Sequence, residues 1–212
     1  PPRPLAHSLR AELQAFPLLP WLPPAAKRAE LPHRVGGTVR AQGENLRVPD
    51  TRLQGSLRFA GFGGRAKAFL PGTLRSEFQA RVRANHARIQ QATLSARATR
   101  LHLLGRVPLA SRETMDLALD LESDAPGIWL DAATIPVDLT ALAATARLQG
   151  SLRAPTATGK VTFQGLRHAR LPPADGTLAF AVDWEARTAE LTSGRVAIAG
   201  GQLEANAVGT FP

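Results

Sequence analysis

Apolar and polar residues alternate along much of the chain, which places them on opposite faces of extended strands. Residues 115–122 read Met-Asp-Leu-Ala-Leu-Asp-Leu-Glu, so every second side chain is apolar and most of the intervening ones are acidic. Residues 177–185 and 194–199 alternate in the same way, and residues 74–84 place Arg, Glu and Gln opposite Leu, Phe and Val. Each segment predicts a strand with one face toward water.

Turn-forming residues separate the alternating segments. Clusters of Pro, Gly, Ala and Asp lie at residues 71–72, 125–127, 172–176 and 200–201. Such clusters favour tight turns, and strands of about seven to ten residues joined by tight turns form hairpins and meanders. The pattern therefore predicts an all-β fold built on an antiparallel sheet.

A helical period is found mainly near the start of the chain. Leu5, Leu9, Leu13 and Phe16 fall on one side of residues 5–16, which predicts a short amphipathic N-terminal helix. Shorter helical candidates lie at residues 139–145 and 25–30. Because Pro is frequent around the first of them, residues 1–33 are interpreted as a Pro-rich lead-in.

One heptapeptide occurs twice, which suggests two related units. Arg-Leu-Gln-Gly-Ser-Leu-Arg stands at residues 52–58 and again at 147–153. Each copy places a glycine, Gly55 or Gly150, inside an expected strand, where glycine usually marks a bulge, a bend or a close backbone approach. We predict a first β unit over residues 34–130 and a second over 131–212, joined in one continuous sheet.

The apolar residues of the alternating segments form the candidate ligand-contacting set. A repeat with a one-sided apolar face has to bury that face by stacking, by closing, or by binding a ligand. Two interpretations therefore stay open for each residue, as part of a ligand path or as part of a closed core. The set is Leu74, Phe78, Val82, Met115, Leu117, Leu119, Leu121, Val161, Phe163, Leu178, Phe180, Val182, Trp184, Val196 and Ile198.

The charge balance favours anionic partners. The chain has 26 basic and 17 acidic side chains, a net charge of +9, and the basic residues are concentrated in its first half. Nucleic acid and lipid headgroups both fit this balance. Because the chain has no Tyr, and its Phe and Trp are not interleaved with Arg as in a base-stacking platform, nucleic acid is not expected as a partner.

Residue patterns for catalysis or for metal binding are not found. The chain has no Cys, its five His residues lack the spacing of a helical zinc site, and no acidic run has calcium-loop spacing. The Gly-rich residues 61–67 lack the Lys-Ser/Thr ending of a phosphate loop. Asp116, Asp120 and Glu122 alternate with leucine and are interpreted as the solvent-facing side of a strand. We therefore predict no catalytic residue, no metal ligand and no cofactor, and a protein that is not an enzyme.

Residues 148–165 resemble the repeat blocks of AsmA-like proteins, above all those of the TamB type. The likeness continues to the paired glycines of residues 200–205. Residues 137–142, Val-Asp-Leu-Thr-Ala-Leu, resemble the short Asp-Leu-x-x-Leu lead-in to each block. The similarity is greatest over residues 130–212 and moderate over 34–124, whereas residues 1–33 depart from the pattern.

The resemblance implies an elongated, curved antiparallel sheet that forms an open half-tube, or β-taco, with an apolar concave face. It implies a periplasmic segment of a longer protein anchored in the inner membrane, which guides phospholipids toward the outer membrane. The first residues, Pro-Pro-Arg-Pro, agree with an excised piece. The implied partners are phospholipid acyl chains, flanking repeats of the same parent chain, and an outer-membrane barrel protein.

Three other functions stay open at this point. The protein is alternatively an assembly scaffold for outer-membrane β-barrel proteins, a sealed structural β scaffold without a ligand, or a basic module for anionic polymers. The physical case for lipid is that an apolar groove stabilises an acyl chain by about 0.8 kcal/mol for each CH₂ removed from water. Headgroups would then lie at the Arg-rich rim.

Overall fold

The computed structural model describes residues 6–17, 32–44, 50–62, 73–83, 85–109, 114–127, 137–152, 154–168 and 171–211. Alternating apolar and polar residues form long strands there, twelve in all. They are β1 Ala6–Pro17, β2 Arg34–Glu44, β3 Asp50–Ala60, β4 Leu74–Arg83, β5 His86–Ala96, β6 Thr99–Pro108, β7 Met115–Ser123, β8 Ala141–Gly150, β9 Pro155–His168, β10 Leu171–Asp183, β11 Thr188–Ile198 and β12 Gly201–Thr210.

The twelve strands form one antiparallel sheet in chain order, with each strand paired to its neighbours in sequence. The sheet is open, with β1 and β12 as its two edges. The predicted all-β class and open antiparallel sheet are confirmed. The sheet also continues across the predicted boundary between units, because β7 pairs with β8 over nine residues.

The chain exposes an unusually large surface for its size. Its accessible surface is 14417 Å², whereas a compact monomer of 22.6 kDa exposes roughly 9500 Å². Few apolar side chains are buried among the described residues: Val35, Pro108, Met115, Pro126, Ala157, Phe163 and Ala174. The molecule is therefore an extended sheet whose apolar side chains shield one another.

The predicted N-terminal helix is wrong, because residues 6–17 form strand β1. Leu9 and Leu13 are four residues apart, a spacing that fits both a helix and one face of a strand. Only Phe16 favoured the helix, and a bulge at Gln14 and Ala15 returns Phe16 to the same face as Leu13. Because the bulge inserts one extra residue, the spacing of the apolar residues in β1 matches the period of a helix.

Two further sequence predictions are corrected. The helical candidate at residues 139–145 is wrong, since β8 begins at Ala141. The predicted turn at residues 172–176 lies inside β10, where Asp175 stands opposite a bulge in β9. A turn at Ala199 and Gly200 does join β11 to β12. The helical candidate at 25–30 and the turn at 71–72 lie outside the described residues.

Every fourth strand, beginning with β1, carries a bulge of the same form. Two residues stand opposite one residue of the next strand, which bends the strand and increases its twist. In each of these strands the two bulged residues follow an apolar residue, and the first of the two is glutamine. The bulges are Gln14-Ala15 in β1, Gln90-Gln91 in β5 and Gln164-Gly165 in β9. Strand β11 carries a further bulge at residues 192–193, outside this period.

A glycine on the following strand pairs with the residue before each of these bulges. The glycines are Gly37 in β2, Gly105 in β6 and Gly176 in β10. At Gly37 and Gly105, φ is 128° and 134°, and a Cβ would overlap a carbonyl oxygen of the next strand. The bulge and its glycine thus define a structural period of four strands, which differs from the two-unit division predicted from sequence.

The two copies of the heptapeptide have different structures. Residues 52–58 lie wholly inside β3, where the predicted close approach is found at Gly55. The strand of the second copy ends at Gly150, whose φ is 96°, and beyond it Ser151 Oγ accepts the backbone N–H of Ala154. Gly150 therefore marks a strand end, so the heptapeptide does not mark equivalent positions of the sheet.

Candidate functional site

All charged side chains of the twelve strands lie on one face of the sheet. Directly paired residues of an antiparallel sheet share a face, so the register assigns every position. We call the face that carries Arg40, Gln54 and Gln79 the polar face, and the face that carries Val39 and Phe78 the apolar face. Every Arg, Lys, Asp and Glu of these strands falls on the polar face.

Three rows of side chains cross the apolar face from β1 to β12. Of their 36 positions, 35 are apolar or glycine, and the exception is Ser76. The central row is Ala11, Val39, Gly55, Phe78, Ala92, Leu103, Leu119, Ala146, Gly159, Phe180, Leu191 and Ala207.

Two flanking rows run beside the central one, and Ser76 is the one polar residue in them. On one side lie Leu13, Gly37, Leu57, Ser76, Leu94, Leu101, Leu121, Ala144, Val161, Leu178, Gly194 and Ala205. On the other lie Leu9, Ala41, Leu53, Ala80, Ile89, Gly105, Leu117, Leu148, Ala157, Val182, Ala189 and Gly209. At about 4.8 Å between strands, the rows span roughly 50 Å.

Fourteen of the fifteen residues predicted to contact a ligand share this apolar face. Eight of them lie in the three rows: Phe78, Leu117, Leu119, Leu121, Val161, Leu178, Phe180 and Val182. Six lie beside the rows on the same face: Leu74, Val82, Met115, Phe163, Val196 and Ile198. The register therefore brings together residues that are far apart in sequence.

Trp184 is the exception, because it lies in the turn after β10. Its ring meets the edge of Phe211 with centroids 6.5 Å apart, and its backbone N–H donates to the carbonyl of Pro155 at 3.2 Å. Its side chain is 44% exposed. Trp184 therefore packs against Phe211 beyond the end of β10 and is not part of a row.

Sequence reasoning missed several apolar residues of the rows, above all in β3, β5 and β6. Leu53 and Leu57 flank Gly55, and Leu94, Leu101 and Leu103 lie near a bulge or a turn. Alternation is present in these strands, but glycine, serine and adjacent leucines interrupt it. A search for period two that treated Gly and Ala as apolar would have found them.

Glycines on the apolar face make room for phenylalanine rings of the neighbouring strand. A Cβ on Gly55 would lie 3.0 Å from the Phe78 ring, and one on Gly159 would lie 2.7 Å from the Phe180 ring. Gly176 and Phe163 form a third such pair. Each ring therefore lies over a glycine, which keeps the rows free of gaps.

The apolar face is large and uncovered by other described elements. Most of its side chains are half-buried, because neighbours on the same face shield one another. A contiguous apolar patch on a soluble monomer rarely exceeds a few hundred Å², and larger patches usually bind something. The three rows are about 50 Å long and roughly 14 Å wide, so they cover about 700 Å², which exceeds that size. We therefore regard the apolar face as the candidate functional site.

The polar face carries two bidentate ion pairs across strands. Arg81 donates from Nε and Nη2 to the carboxylate of Asp50 at 2.5 and 2.6 Å, and Arg147 donates to Asp116 at 2.8 Å twice. Hydrogen bonding from Arg81 lowers the pKa of Asp50, and hydrogen bonding from Arg147 lowers the pKa of Asp116. Both pairs link directly neighbouring strands, β3 to β4 and β7 to β8.

The stability of the fold should decrease as the pH falls, because these two carboxylates become protonated. A carboxyl whose pKa is lower in the folded state stabilises the fold fully above its unfolded pKa, near 3.8, and loses that contribution as pH falls through the folded value. We expect Asp116→Asn to be less stable than the wild type at neutral pH and equally stable well below pH 3.8. Urea midpoints of both proteins measured across pH test this, and a constant difference would contradict it.

Open depressions lie on the polar face. One of about 340 Å³ is lined by Arg40, Gln54, Glu77 and Gln79, and one of about 590 Å³ by His102, Asp120 and Lys160 among others. In the part of the chain that the structure describes, no three His, Asp or Glu side chains cluster as metal ligands would. No helix in that part is long and apolar enough to cross a membrane.

Comparison with protein-family models, with curated proteins and with solved structures finds no match to this chain. The family resemblance drawn from residues 137–142, 148–165 and 200–205 therefore stays a prediction.

Proposed function

We propose that the apolar face is a hydrophobic groove that binds phospholipid acyl chains and passes them along the sheet without covalent chemistry. The observation that supports this is the set of three rows across all twelve strands, in which 35 of 36 positions are apolar or glycine. A ligand that slides needs a continuous path with no polar barrier, and Ser76 is the sole polar side chain in the rows.

The chemistry of the face suits acyl chains better than a ligand with polar groups. Burial of each CH₂ against these residues contributes about 0.8 kcal/mol, and this gain does not depend on how the acyl chain is oriented on the face. Because the rows lack hydrogen-bonding side chains apart from Ser76, they select for length and apolarity rather than for a headgroup. A headgroup would stay in water at the edge of the face.

The wider setting follows from the family resemblance. A sheet of this kind fits a periplasmic segment of an AsmA-like, TamB-type protein that is anchored in the inner membrane and delivers phospholipid toward the outer membrane. In that setting, repeats of the same parent chain would flank the sheet. Under this proposal the protein has no catalytic residue and no cofactor.

A second candidate is an assembly scaffold for outer-membrane β-barrel proteins. The open edges of the sheet favour it, because an unpaired edge strand is a template for adding a further strand. In this case the partner would be an unfolded β-hairpin or an outer-membrane barrel, and the apolar face would receive its lipid-facing side chains.

Native mass spectrometry of the purified chain distinguishes the two. We expect the chain to retain phospholipid of mixed headgroup, released by solvent extraction and displaced by an uncharged detergent. A lipid-free chain that gains no mass when incubated with phospholipid, yet binds an outer-membrane β-hairpin peptide, would favour the scaffold. A chain that binds neither would contradict both proposals.

A further inference from the structure

Four arginines stand in one row across the polar face, on adjacent strands. Arg52 of β3 pairs with Arg81 of β4, Arg81 with Arg88 of β5, and Arg88 with Arg106 of β6. Neighbouring strands are about 4.8 Å apart, so the row is a close array of positive charge. We call these four residues the arginine row.

Positive charge is concentrated in the half of the polar face that contains this row. Strands β2 to β6 carry ten arginines and three carboxylates, whereas β7 to β12 carry four basic and seven acidic side chains. The two halves meet between β6 and β7, where Arg100, His102 and Arg106 pair with acidic residues of β7. The polar face is therefore divided into a cationic half and an anionic half.

The arginine row is unfavourable for the isolated sheet. Like charges directly opposite each other on neighbouring strands destabilise the pairing. Within the described residues, Asp50 forms salt bridges with Arg81 and Arg83. Arg52 and Arg106 form no salt bridge and interact only at longer range with Asp50 and Asp116, and Arg88 forms no salt bridge. An external anion would relieve this repulsion, which indicates a binding surface rather than a structural element.

The size and chemistry of the cationic half suit a lipid surface. Five strands span about 19 Å, which is too wide for the roughly 12 Å major groove of duplex DNA. The strand residues of this half present no Phe, Tyr or Trp side chain on the polar face for stacking single-stranded bases. A broad array of arginines instead complements the many phosphates of an anionic bilayer.

We propose that the cationic half of the polar face, centred on Arg52, Arg88 and Arg106, docks the sheet onto an anionic lipid bilayer surface. Contact through this face leaves the apolar face uncovered. The surface recognised is the phosphate layer of the bilayer, and binding is electrostatic and weakened by salt.

Co-sedimentation of the full chain with vesicles tests this proposal. We expect binding to vesicles of phosphatidylglycerol in phosphatidylcholine, little binding to phosphatidylcholine alone, and loss of binding as salt is raised. Replacing Arg52, Arg88 and Arg106 together by Ser should weaken binding about a hundredfold, since each basic side chain near an anionic surface contributes roughly fivefold. The fold should persist, because the substitution removes like-charge repulsion.

The matched control removes the same number of charges from the other half of the same face. The triple variant K160S, R167S and R195S has the same net charge as the arginine-row variant, and we expect its binding to change less than threefold. Equal losses in the two variants would overturn the proposal, because net charge alone would then explain binding. Efficient competition by duplex DNA at equal phosphate concentration would overturn the assignment to lipid.

Discussion

Substitution of Val182 by Asp is expected to reduce phospholipid bound to the purified chain at least tenfold. Val182 lies between Ala157 and Ala189 in a flanking row of the apolar face. A carboxylate there would have to lose water against an acyl chain with no partner to compensate it. Lipid extracted per mole of folded protein measures the effect.

A control on the same strand separates the groove from the added charge. Ala179 lies on the polar face between Lys160 and Ser193, so Ala179→Asp adds the same charge beside a lysine and should leave bound lipid unchanged. If Val182→Asp unfolds the chain, Val182→Thr provides the same test with a smaller loss. Normal lipid content in a folded Val182→Asp protein would contradict a lining role.

Substitution of Gly105 by Ala is expected to destabilise the fold by about 3 kcal/mol or more. The backbone φ of 134° is unfavourable for any residue with a Cβ, which costs of order 1–3 kcal/mol. The new Cβ would also overlap the carbonyl oxygen of Asp116 on the next strand, so β6 and β7 would have to separate. Urea unfolding followed by circular dichroism measures the loss.

Gly209→Ala is the control for this substitution. Gly209 lies in the edge strand β12, without positive φ and with no atom within 4 Å of an added Cβ. We expect its free energy of unfolding to change by less than about 0.5 kcal/mol. Equal stability of the Gly105 and Gly209 variants would show that the glycine paired with the residue before the bulge is not required for the sheet.

Strand content was predictable from sequence because one period dominates the chain. Where alternation is regular, as in β7 and residues 177–183 of β10, the predicted strands were confirmed, whereas Trp184 lies in the turn after β10. At Gln14 and Ala15 a bulge inserts one residue and shifts the period, so β1 resembled a helix. The Pro and Gly residues of 172–176 suggested a turn, yet they lie inside β10, where Pro172 and Pro173 form an irregularity opposite Arg167 and Asp175 stands opposite the bulge of β9.

The candidate site could be predicted only in part, because its continuity depends on register. Alternation alone identified Phe78 and Phe180 as apolar, but it did not show that both lie in one row with each ring over a glycine. The arginine row depends on pairing in the same way: Arg52 and Arg106 are far apart in sequence and lie three strands apart in the sheet.

Photocrosslinking along one strand is the most direct test of the central claim that the apolar face binds acyl chains. A photoreactive phenylalanine analogue would be placed in turn at Leu117, Ala118, Leu119, Asp120 and Leu121 of β7, and transfer to phospholipid measured. The proposed groove predicts labelling at the three leucine positions and little at Ala118 and Asp120, a period of two. Equal labelling at all five positions, or labelling greatest at Ala118 and Asp120, would contradict it.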